Sequence, residues 1–376
     1  MTDPKILIVA GEPSGDLHAS SLVREMRSLH PKISFFGMGG KRMEEEKVEI
    51  LHGIEDLALM GFWEVFSHLP KIQKAFRILI RALKERKPDL VLLVDYPGFN
   101  LRLARLAKRN GFKVLYFITP QVWAWGKWRL EQIKNCVYRA LLILPFEKNL
   151  FQESGIPSTY VGHPLLDMVH ADLSRSELCS LLNLPPENPL IGILPGSRKG
   201  EVKRILPLML QCAEEIQKNS KASFVIPIAP GLEEKEISKR ANHRISQLRT
   251  INGKTYEVMK NADLLLVASG TATLEAALFG TPMLILYKLS LLSYWIGKRI
   301  VRIRNLGLVN IVAEERVVPE FIQFNATPKK IVPEAISLLT DEERRRKIKE
   351  DLKRIRERLG KPGATRRAAE AVLAEL

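Results

Sequence analysis

The chain has 376 residues, of which 46% are hydrophobic and 27% are charged. At about 150 residues per domain, this length predicts two domains with cores of ordinary size, and the composition excludes collagen-like, disordered and disulfide-stapled proteins. The 58 lysines and arginines exceed the 42 acidic residues by 16, so we expect an anionic partner: nucleic acid, lipid headgroups or a phosphorylated substrate.

Cysteines and apolar stretches bear on the compartment. Cys136, Cys179 and Cys212 are too far apart to form a disulfide framework or a zinc site, which favours a reducing cytoplasm. The longest apolar stretch, residues 283–297, contains Lys288 and is shorter than the roughly 20 residues of a membrane-spanning helix. We therefore expect a protein that is soluble or adheres to a membrane surface.

Short apolar runs alternate with helical patterns through the first half of the chain. This alternation is typical of a parallel sheet whose two faces are covered by helices. The predicted elements are strands at residues 5–10, 90–95, 113–118 and 140–144, with a helix at 17–29.

The first predicted strand ends in the turn GEPSGD, residues 11–16. Glycines in such a turn let a ligand approach the backbone, and the N-terminus of the following helix attracts negative charge. The turn lacks the GxGxxG spacing of a nicotinamide dinucleotide site. We expect Glu12, Ser14 and Gly15 to face a ligand, whereas Asp16 is explained as well by a helix cap.

Two stretches combine aromatic and basic residues, as helices at an anionic membrane surface do. In the first, cations recur every three or four residues and therefore share one helical face. A solvated basic face over an ordinary core is the alternative for each stretch. The predicted membrane contacts are Phe62, Trp63, Phe66, Lys71, Lys74, Arg77 and Arg81 in the first stretch and Trp295, Lys298, Arg299 and Arg302 in the second.

Asp95 ends the apolar run LVLLVD and is followed at once by Pro97 and Gly98. A buried strand thus delivers a carboxylate to the carboxyl edge of the sheet, where α/β enzymes hold their substrates. We predict that Asp95 is a general base; the alternative is that it caps the next turn.

Aromatic and imidazole side chains follow two later strands. Trp123 and Trp125 either floor a sugar or acyl pocket or pack between the domains. His163, in TYVGHPLLD, either contacts substrate or is structural. Because no two histidines have the spacing of metal ligands, we predict no metal site.

A Pro-rich joint near residues 165–188 separates these elements from a second strand series that begins with LIGIL. We therefore predict two Rossmann-like domains, 1–170 and 185–340, followed by a charged helical segment, 341–376.

In the second domain, LIGIL leads into LPGSR. Gly196 and Ser197 offer backbone amides there, and Arg198 offers a guanidinium fork suited to a diphosphate. The turn lacks the GxxxxGK[ST] spacing of nucleoside triphosphatases, which argues against ATP hydrolysis.

A second small-residue turn, formed by Ser269, Gly270 and Thr271, precedes Glu275 by one helical turn. Its amides suit a phosphate, and the carboxylate suits ribose hydroxyls. The alternative is that Glu275 only complements the helix dipole.

Taken together and in order, the motifs resemble those of the lipid-A-disaccharide synthases. The matching segments are GEPSGD, VDYPGFN, ITPQVWAWG, LPFEK, VGHPLLD, LPGSR, ASGTATLEAAL, YWIGKRIV and NIVAEE, across nearly the whole chain. The resemblance implies an α/β fold of GT-B type, with two Rossmann-like domains and a cleft between them. It also implies inverting transfer of 2,3-diacylglucosamine from its UDP carrier to the 6-hydroxyl of 2,3-diacylglucosamine 1-phosphate (lipid X), which yields a β-1,6 disaccharide and UDP.

The same resemblance implies roles for individual residues. Asp95 matches the family's base, and Arg198 matches the arginine that neutralises the leaving diphosphate. Glu275 matches a nucleotide-site carboxylate, and Asn310 matches a polar active-site position. The chain departs from the family pattern beside that asparagine, at Val309 and Ala313.

The resemblance further implies no cofactor, a homodimer and attachment to the cytoplasmic face of the inner membrane in Gram-negative bacteria. Segment 341–376 would cross back to the first domain or to the dimer partner. Two alternatives stay open. The first is another UDP-sugar enzyme of this architecture, such as a UDP-N-acetylglucosamine epimerase, which would not require acyl chains. The second is a basic nucleic-acid-binding protein, for which the chain offers no recognisable module.

Overall fold

The computed structural model describes residues 3–54, 64–123, 128–229, 231–240, 245–289 and 305–376. The chain divides into two compact units: Met1–Asp167 with Leu359–Leu376, and Met168–Arg358. Each unit is built on a parallel sheet, as the alternating pattern predicted.

The described part of the first unit contains a seven-stranded sheet in the order β3-β2-β1-β4-β5-β6-β7, and every adjacent pair is parallel. The strands are β1 Lys5–Ala10, β2 Ser34–Gly39, β3 Glu49–Gly53, β4 Leu90–Val94, β5 Val114–Phe117, β6 Arg139–Leu142 and β7 Ser158–Tyr160.

Helices cover both faces of this sheet. They are α1 Pro13–Leu29, α2 Lys41–Glu45, α3 Glu64–Arg86, α4 Pro97–Arg109, α5 Trp128–Cys136, α6 Glu147–Glu153 and α7 Leu165–Met168. Successive strand residues point to opposite faces, so Leu7 and Val9 pack with α3, α4 and α5, while Ile6 and Ile8 pack with α1. Helix α1 begins at Pro13 rather than at residue 17 because proline is favourable in a first helical turn.

The described part of the second unit contains a six-stranded parallel sheet in the order β10-β9-β8-β11-β12-β13. Its strands are β8 Leu190–Leu194, β9 Ser223–Ile228, β10 Leu248–Asn252, β11 Leu264–Ala268, β12 Met283–Tyr287 and β13 Glu320–Ile322. Its helices are α8 Arg175–Leu182, α9 Lys199–Asn219, α10 Glu234–Arg240, α11 Thr255–Asn261, α12 Ala272–Phe279, α13 Leu308–Ala313, α14 Pro328–Thr340 and α15 Glu342–Arg358.

The predicted helical segment 341–376 is divided between the two units. Helix α15 packs on α12, α13 and α14 of the second unit. The chain then returns to the first unit, where helix α16, Ala364–Leu373, packs on α1. The Asp167 carboxylate accepts hydrogen bonds from the amides of Gly363 and Thr365 at the start of α16. The return is therefore tied down by polar contacts as well as by apolar packing.

Candidate active site

Each sheet has one point at which the strand order reverses. In the first sheet, the chain leaves β1 for β2 on one side and leaves β4 for β5 on the other; β8 and β11 have the same relation in the second. The carboxyl ends of such strands flank a crevice, which is where open α/β sheets bind ligands. Most predicted site residues follow these four strands: Glu12, Ser14 and Gly15 after β1, Asp95 after β4, Gly196, Ser197 and Arg198 after β8, and Ser269, Gly270 and Thr271 after β11, with Glu275 in the helix that comes next.

The helices that follow these strands share a second property. Their N-cap residues are Glu12, Tyr96, Arg198 and Thr271, and none of the four caps its helix with its own side chain. Helix α8 instead begins with a complete capping box of Ser174 and Glu177. The amides of the first turns at the crevices are thus left uncovered by the N-cap side chain, and their dipoles favour an anion.

The turn after β4 is strained. Asp95 and Tyr96 both have left-handed backbone angles, with φ of 50° and 49°. This conformation costs roughly 1–2 kcal/mol for each non-glycine residue. The Tyr96 ring lies over the neighbouring turn, where a Cβ on Gly11 would be 2.0 Å from a ring carbon. Gly11 is therefore required by the ring that the strained turn places above it.

The turn after β1 corrects two expectations. Asp16 is buried, and its carboxylate accepts hydrogen bonds from the amides of Gly40 at 2.7 Å and Arg42 at 3.2 Å. Asp16 is thus a cap, but of the neighbouring helix α2. A Cβ on Gly15 would lie 3.4 Å from that of Ala10, so Gly15 faces the sheet and only its backbone is available to a ligand.

The predicted contacts Trp123 and His163 are both partly or fully covered by the first unit. Trp123 is half-buried and meets the Phe146 ring edge-to-face at 5.3 Å; Trp125 lies outside the described residues. His163 is 4% exposed, and its Nδ1 accepts a hydrogen bond from the Leu165 amide. Burial, with a smaller effect of His18, lowers the pKa of His163 to about 3. Burial and this hydrogen bond favour the structural alternative for His163, and its contact with substrate stays a prediction.

Glu147 and His18 are titratable groups of this unit that sequence reasoning missed. Glu147, in the LPFEK motif at the start of α6, is 1% exposed, and burial raises its pKa to about 7 while the Leu144 amide opposes the shift. Burial also lowers the pKa of His18, inside α1, to about 4. The one sequence signal near Glu147 is Pro145, which indicates a turn before α6.

The crevice of the second unit is built differently. Gly196 has φ of 106°, and a Cβ there would lie 2.2 Å from a carboxylate oxygen of Glu201, in the first turn of α9. Burial raises the pKa of Glu201, although Arg198 and Arg204 oppose the shift. Ser197 and Arg198 are exposed. The turn thus presents an exposed arginine and backbone amides, which suit a diphosphate.

The turn after β11 is shaped by hydroxyl groups. Ser269 Oγ donates to the Leu306 carbonyl at 3.2 Å, and Thr273 Oγ1 donates to the Gly270 carbonyl at 2.8 Å. A Cβ on Gly270 would meet no atom within 4 Å, while Thr271 is exposed. Burial raises the pKa of Glu275, and the Tyr256 hydroxyl donates to it at 3.4 Å.

Asn310 is fully buried and has no free amide group. Its Nδ2 donates to the Val318 carbonyl and to Glu320 Oε1, each at 2.8 Å, while its Oδ1 accepts from the amides of Val317 and Val318. These bonds use every donor and acceptor of the amide and give Asn310 a structural role, while its match to a polar active-site position stays a prediction. Glu320 also accepts from the amides of Leu306 and Gly307. Together with Glu320, Asn310 holds the backbone segment to which Ser269 is bonded.

The basic stretch of helix α3 presents one charged face. Lys71, Lys74, Arg77 and Arg81 are exposed, whereas Ala75, Leu79, Ala82 and Leu83 on the opposite side are buried. Phe62, Trp63, Trp295, Lys298, Arg299 and Arg302 lie outside the described residues, as does the side chain of Phe66. No described helix has the length and apolar character needed to cross a membrane. Within the described ranges, no group of three or more His, Cys, Asp or Glu side chains is placed to hold a metal.

Comparison with known proteins gives one consistent result in sequence. A family model described as lipid-A-disaccharide synthetase matches residues 6–375. The lipid-A-disaccharide synthase of Syntrophus aciditrophicus is 45% identical over 98% of this chain and 97% of its own length. That of Nitrosococcus oceani is 42% identical over 99% of this chain and 96% of its own length.

Solved structures share the fold at much lower identity. The Neisseria meningitidis UDP-GlcNAc 2-epimerase bound to UDP-GlcNAc aligns with a TM-score of 0.66 and 15% identity over 98% of this chain and 100% of that chain. Acinetobacter baumannii MurG aligns with a TM-score of 0.61 and 13% identity over 99% of each chain. Identity this low shows the fold alone.

Proposed function

This chain belongs to the lipid-A-disaccharide synthetase family and is a glycosyltransferase of GT-B fold, and from that premise we propose its reaction. It transfers 2,3-diacylglucosamine from UDP-2,3-diacylglucosamine to the 6-hydroxyl of 2,3-diacylglucosamine 1-phosphate, with inversion. The products are a β-1,6-linked disaccharide 1-phosphate and UDP. Family membership over residues 6–375 carries this proposal; the two crevices supply its chemistry.

In this mechanism Asp95 is the general base. Its carboxylate takes the proton of the acceptor 6-hydroxyl as that oxygen attacks the anomeric carbon of the donor sugar. The bond between the anomeric carbon and the diphosphate oxygen breaks, and its electron pair leaves with UDP. The position of Asp95 directly after β4, at the point where the strand order reverses, supports this role.

The second unit holds the nucleotide. Arg198 and the amides at the start of α9 offset the negative charge that develops on the leaving diphosphate. The turn of Ser269, Gly270 and Thr271 contributes further amides, and Glu275 accepts hydrogen bonds from ribose hydroxyls. Arg198 is exposed, whereas the Asn310 amide is buried. This difference supports Arg198, rather than Asn310, as the residue that binds the diphosphate.

The reaction is tested by UDP release from purified protein in detergent. We expect rapid release with UDP-2,3-diacylglucosamine and lipid X together, and little with either one alone. Release should be unchanged by EDTA, because Arg198 and the helix amides supply the positive charge. Absence of release with the lipid pair would contradict the proposal. Interconversion of UDP-N-acetylglucosamine with an epimer would favour the epimerase alternative, which the relatives at 42–45% identity oppose.

We also propose that the exposed basic face of α3 binds an anionic membrane surface, so that acylated substrates reach the protein at the cytoplasmic face of the inner membrane. Replacing Lys71, Lys74, Arg77 and Arg81 with serine should weaken binding to vesicles of phosphatidylglycerol and phosphatidylcholine at least about tenfold. The matched control removes the same charge from exposed positions of α15: Arg346, Lys347, Lys349 and Lys353. Equal losses in both variants would show that net charge, rather than this face, binds lipid.

The homodimer stays a prediction, and size measurement in solution tests it.

A further inference from the structure

The backbone carbonyl of Asp95 receives two hydrogen bonds from buried side chains. Asn100 Nδ2 donates to it at 2.7 Å, and the Tyr116 hydroxyl donates to it at 2.7 Å. Both donor residues are 0% exposed. Hydrogen bonds in such an environment are little weakened by competition with water, so they fix the direction of this carbonyl.

The two donors come from different elements. Tyr116 lies on β5, the strand beside β4, and Asn100 lies in the first turn of α4. Asn100 Nδ2 is also 3.2 Å from the Val94 carbonyl and 3.4 Å from the Val9 carbonyl. Three surrounding carbonyl oxygens identify this atom as the amide nitrogen, because an oxygen there would meet only acceptors. Asn100 therefore joins the ends of β1 and β4 at the crevice.

A fixed carbonyl matters because the turn is strained. Asp95 and Tyr96 are both left-handed, and relaxation of either would rotate the Asp95 carbonyl and swing its Cβ, and with it the carboxylate. Hydrogen bonds on the carbonyl hold the backbone of Asp95 against this rotation. Resting on the proposed role of Asp95 as base, we propose that Tyr116 and Asn100 are positioning residues, which hold the Asp95 carboxylate toward the acceptor hydroxyl.

The proposal separates the hydroxyl of Tyr116 from its ring. The ring is part of the apolar core of the first unit, and a purely structural Tyr116 would act through that packing alone. Burial, reinforced by the charge of Asp95, raises the pKa of the Tyr116 hydroxyl well above its ordinary value, so it stays a donor throughout the assay range. Phenylalanine keeps the ring and removes only the donor.

The test compares Tyr116→Phe with the parent enzyme in UDP release from the lipid pair. We expect kcat to fall about tenfold, since one aimed hydrogen bond on the turn is lost, while the KM of the donor and the affinity for UDP stay unchanged. Tyr160→Phe is the matched control, because the Tyr160 hydroxyl also donates to a backbone carbonyl of the first unit, that of Leu359, at 2.9 Å. It should leave kcat unchanged.

A double-mutant cycle distinguishes positioning from packing. In an Asp95→Asn background, Tyr116→Phe should cause no further loss of kcat, because the carboxylate that it positions is gone. An equal loss in both backgrounds, or an unchanged kcat of Tyr116→Phe in the parent enzyme, would overturn the positioning role. Full turnover by Asp95→Asn alone would instead overturn the proposed base, so the two failures are separable.

Discussion

The two units place their site residues at equivalent points of one architecture but hold them in opposite ways. After β4, a strained left-handed turn is held by buried neutral donors, and one carboxylate projects from it. After β8, exposed Ser197 and Arg198 follow a glycine with φ of 106°. A base that must take a proton from one direction needs fixed surroundings, whereas an exposed cation can adapt to a flexible diphosphate. The difference supports a division of labour between proton transfer and anion binding.

The largest expected effect is the loss of turnover when the proposed base of the first unit is replaced. Asp95→Asn should lower kcat by about 10³-fold, because an amide cannot accept the acceptor's proton. The steady-state rate of UDP release measures it. Asp89→Asn is the control, since Asp89 lies just before the opposite end of β4, where its carboxylate accepts from the Lys5 amide. If both variants lose turnover equally, the loss comes from the strand rather than from the base.

In the second unit, replacement of Arg198 tests the proposed binding of the diphosphate. Arg198→Ala should raise the donor KM about 10- to 100-fold, and Arg198→Lys should raise it less, because lysine keeps the charge but not the fork. Lys199→Ala removes a neighbouring cation that pairs with Glu233 at 3.3 Å, and it should change the KM little. An equal KM increase for Lys199→Ala would indicate a general field effect rather than recognition by Arg198.

Replacing Asn310 distinguishes a residue that stabilises the backbone near the site from one that contacts the nucleotide. Asn310→Ala removes one donor from Glu320 and one acceptor from each of the amides of Val317 and Val318, so the free energy of unfolding should fall by about 2 kcal/mol. Denaturant unfolding measures the change. UDP affinity measured well below the unfolding transition should fall much less than in Arg198→Ala. A loss of UDP affinity with unchanged stability would instead support the predicted active-site role of Asn310.

The smallest expected effect is on the pH dependence of stability, through the buried carboxyl group of Glu147. Glu147 has its pKa raised to about 7 by burial. Between pH 5 and 7 the unfolded chain releases this proton while the folded chain keeps it, so rising pH destabilises the parent protein. Glu147→Gln does not titrate, and its stability relative to the parent should rise by about 1 kcal/mol per pH unit over this range. Glu153→Gln, exposed at the other end of α6, should show a flat difference.

Features that depend on neighbouring residues in the sequence were predictable, whereas those that depend on contacts between distant residues were not. Apolar runs predicted β1 and β4 to within one residue, and hence the position of Asp95 at a strand end. The sheet order, which makes β1 and β4 neighbours, follows from contacts between distant parts of the chain. The hydrogen bond from Tyr116 to Asp95, 21 residues apart, leaves no pattern that a single sequence displays.

Side-chain direction was the other limit. Asn310 matched a family motif, yet the structure turns its amide inward to Glu320. His163 likewise follows a strand, where site residues collect, but is buried. Residue type and position along a strand predict the edge of the sheet at which a group lies. They do not predict whether it faces solvent there, because that depends on the loops packed above it.

UDP binding by isothermal titration calorimetry, carried out in parallel on Asp95→Asn and Arg198→Ala, tests the division of labour most directly. The account predicts that Asp95→Asn binds UDP as tightly as the parent enzyme while Arg198→Ala binds it about 10- to 100-fold more weakly. Equal weakening in both variants would contradict the assignment of proton transfer to the first unit and of nucleotide binding to the second.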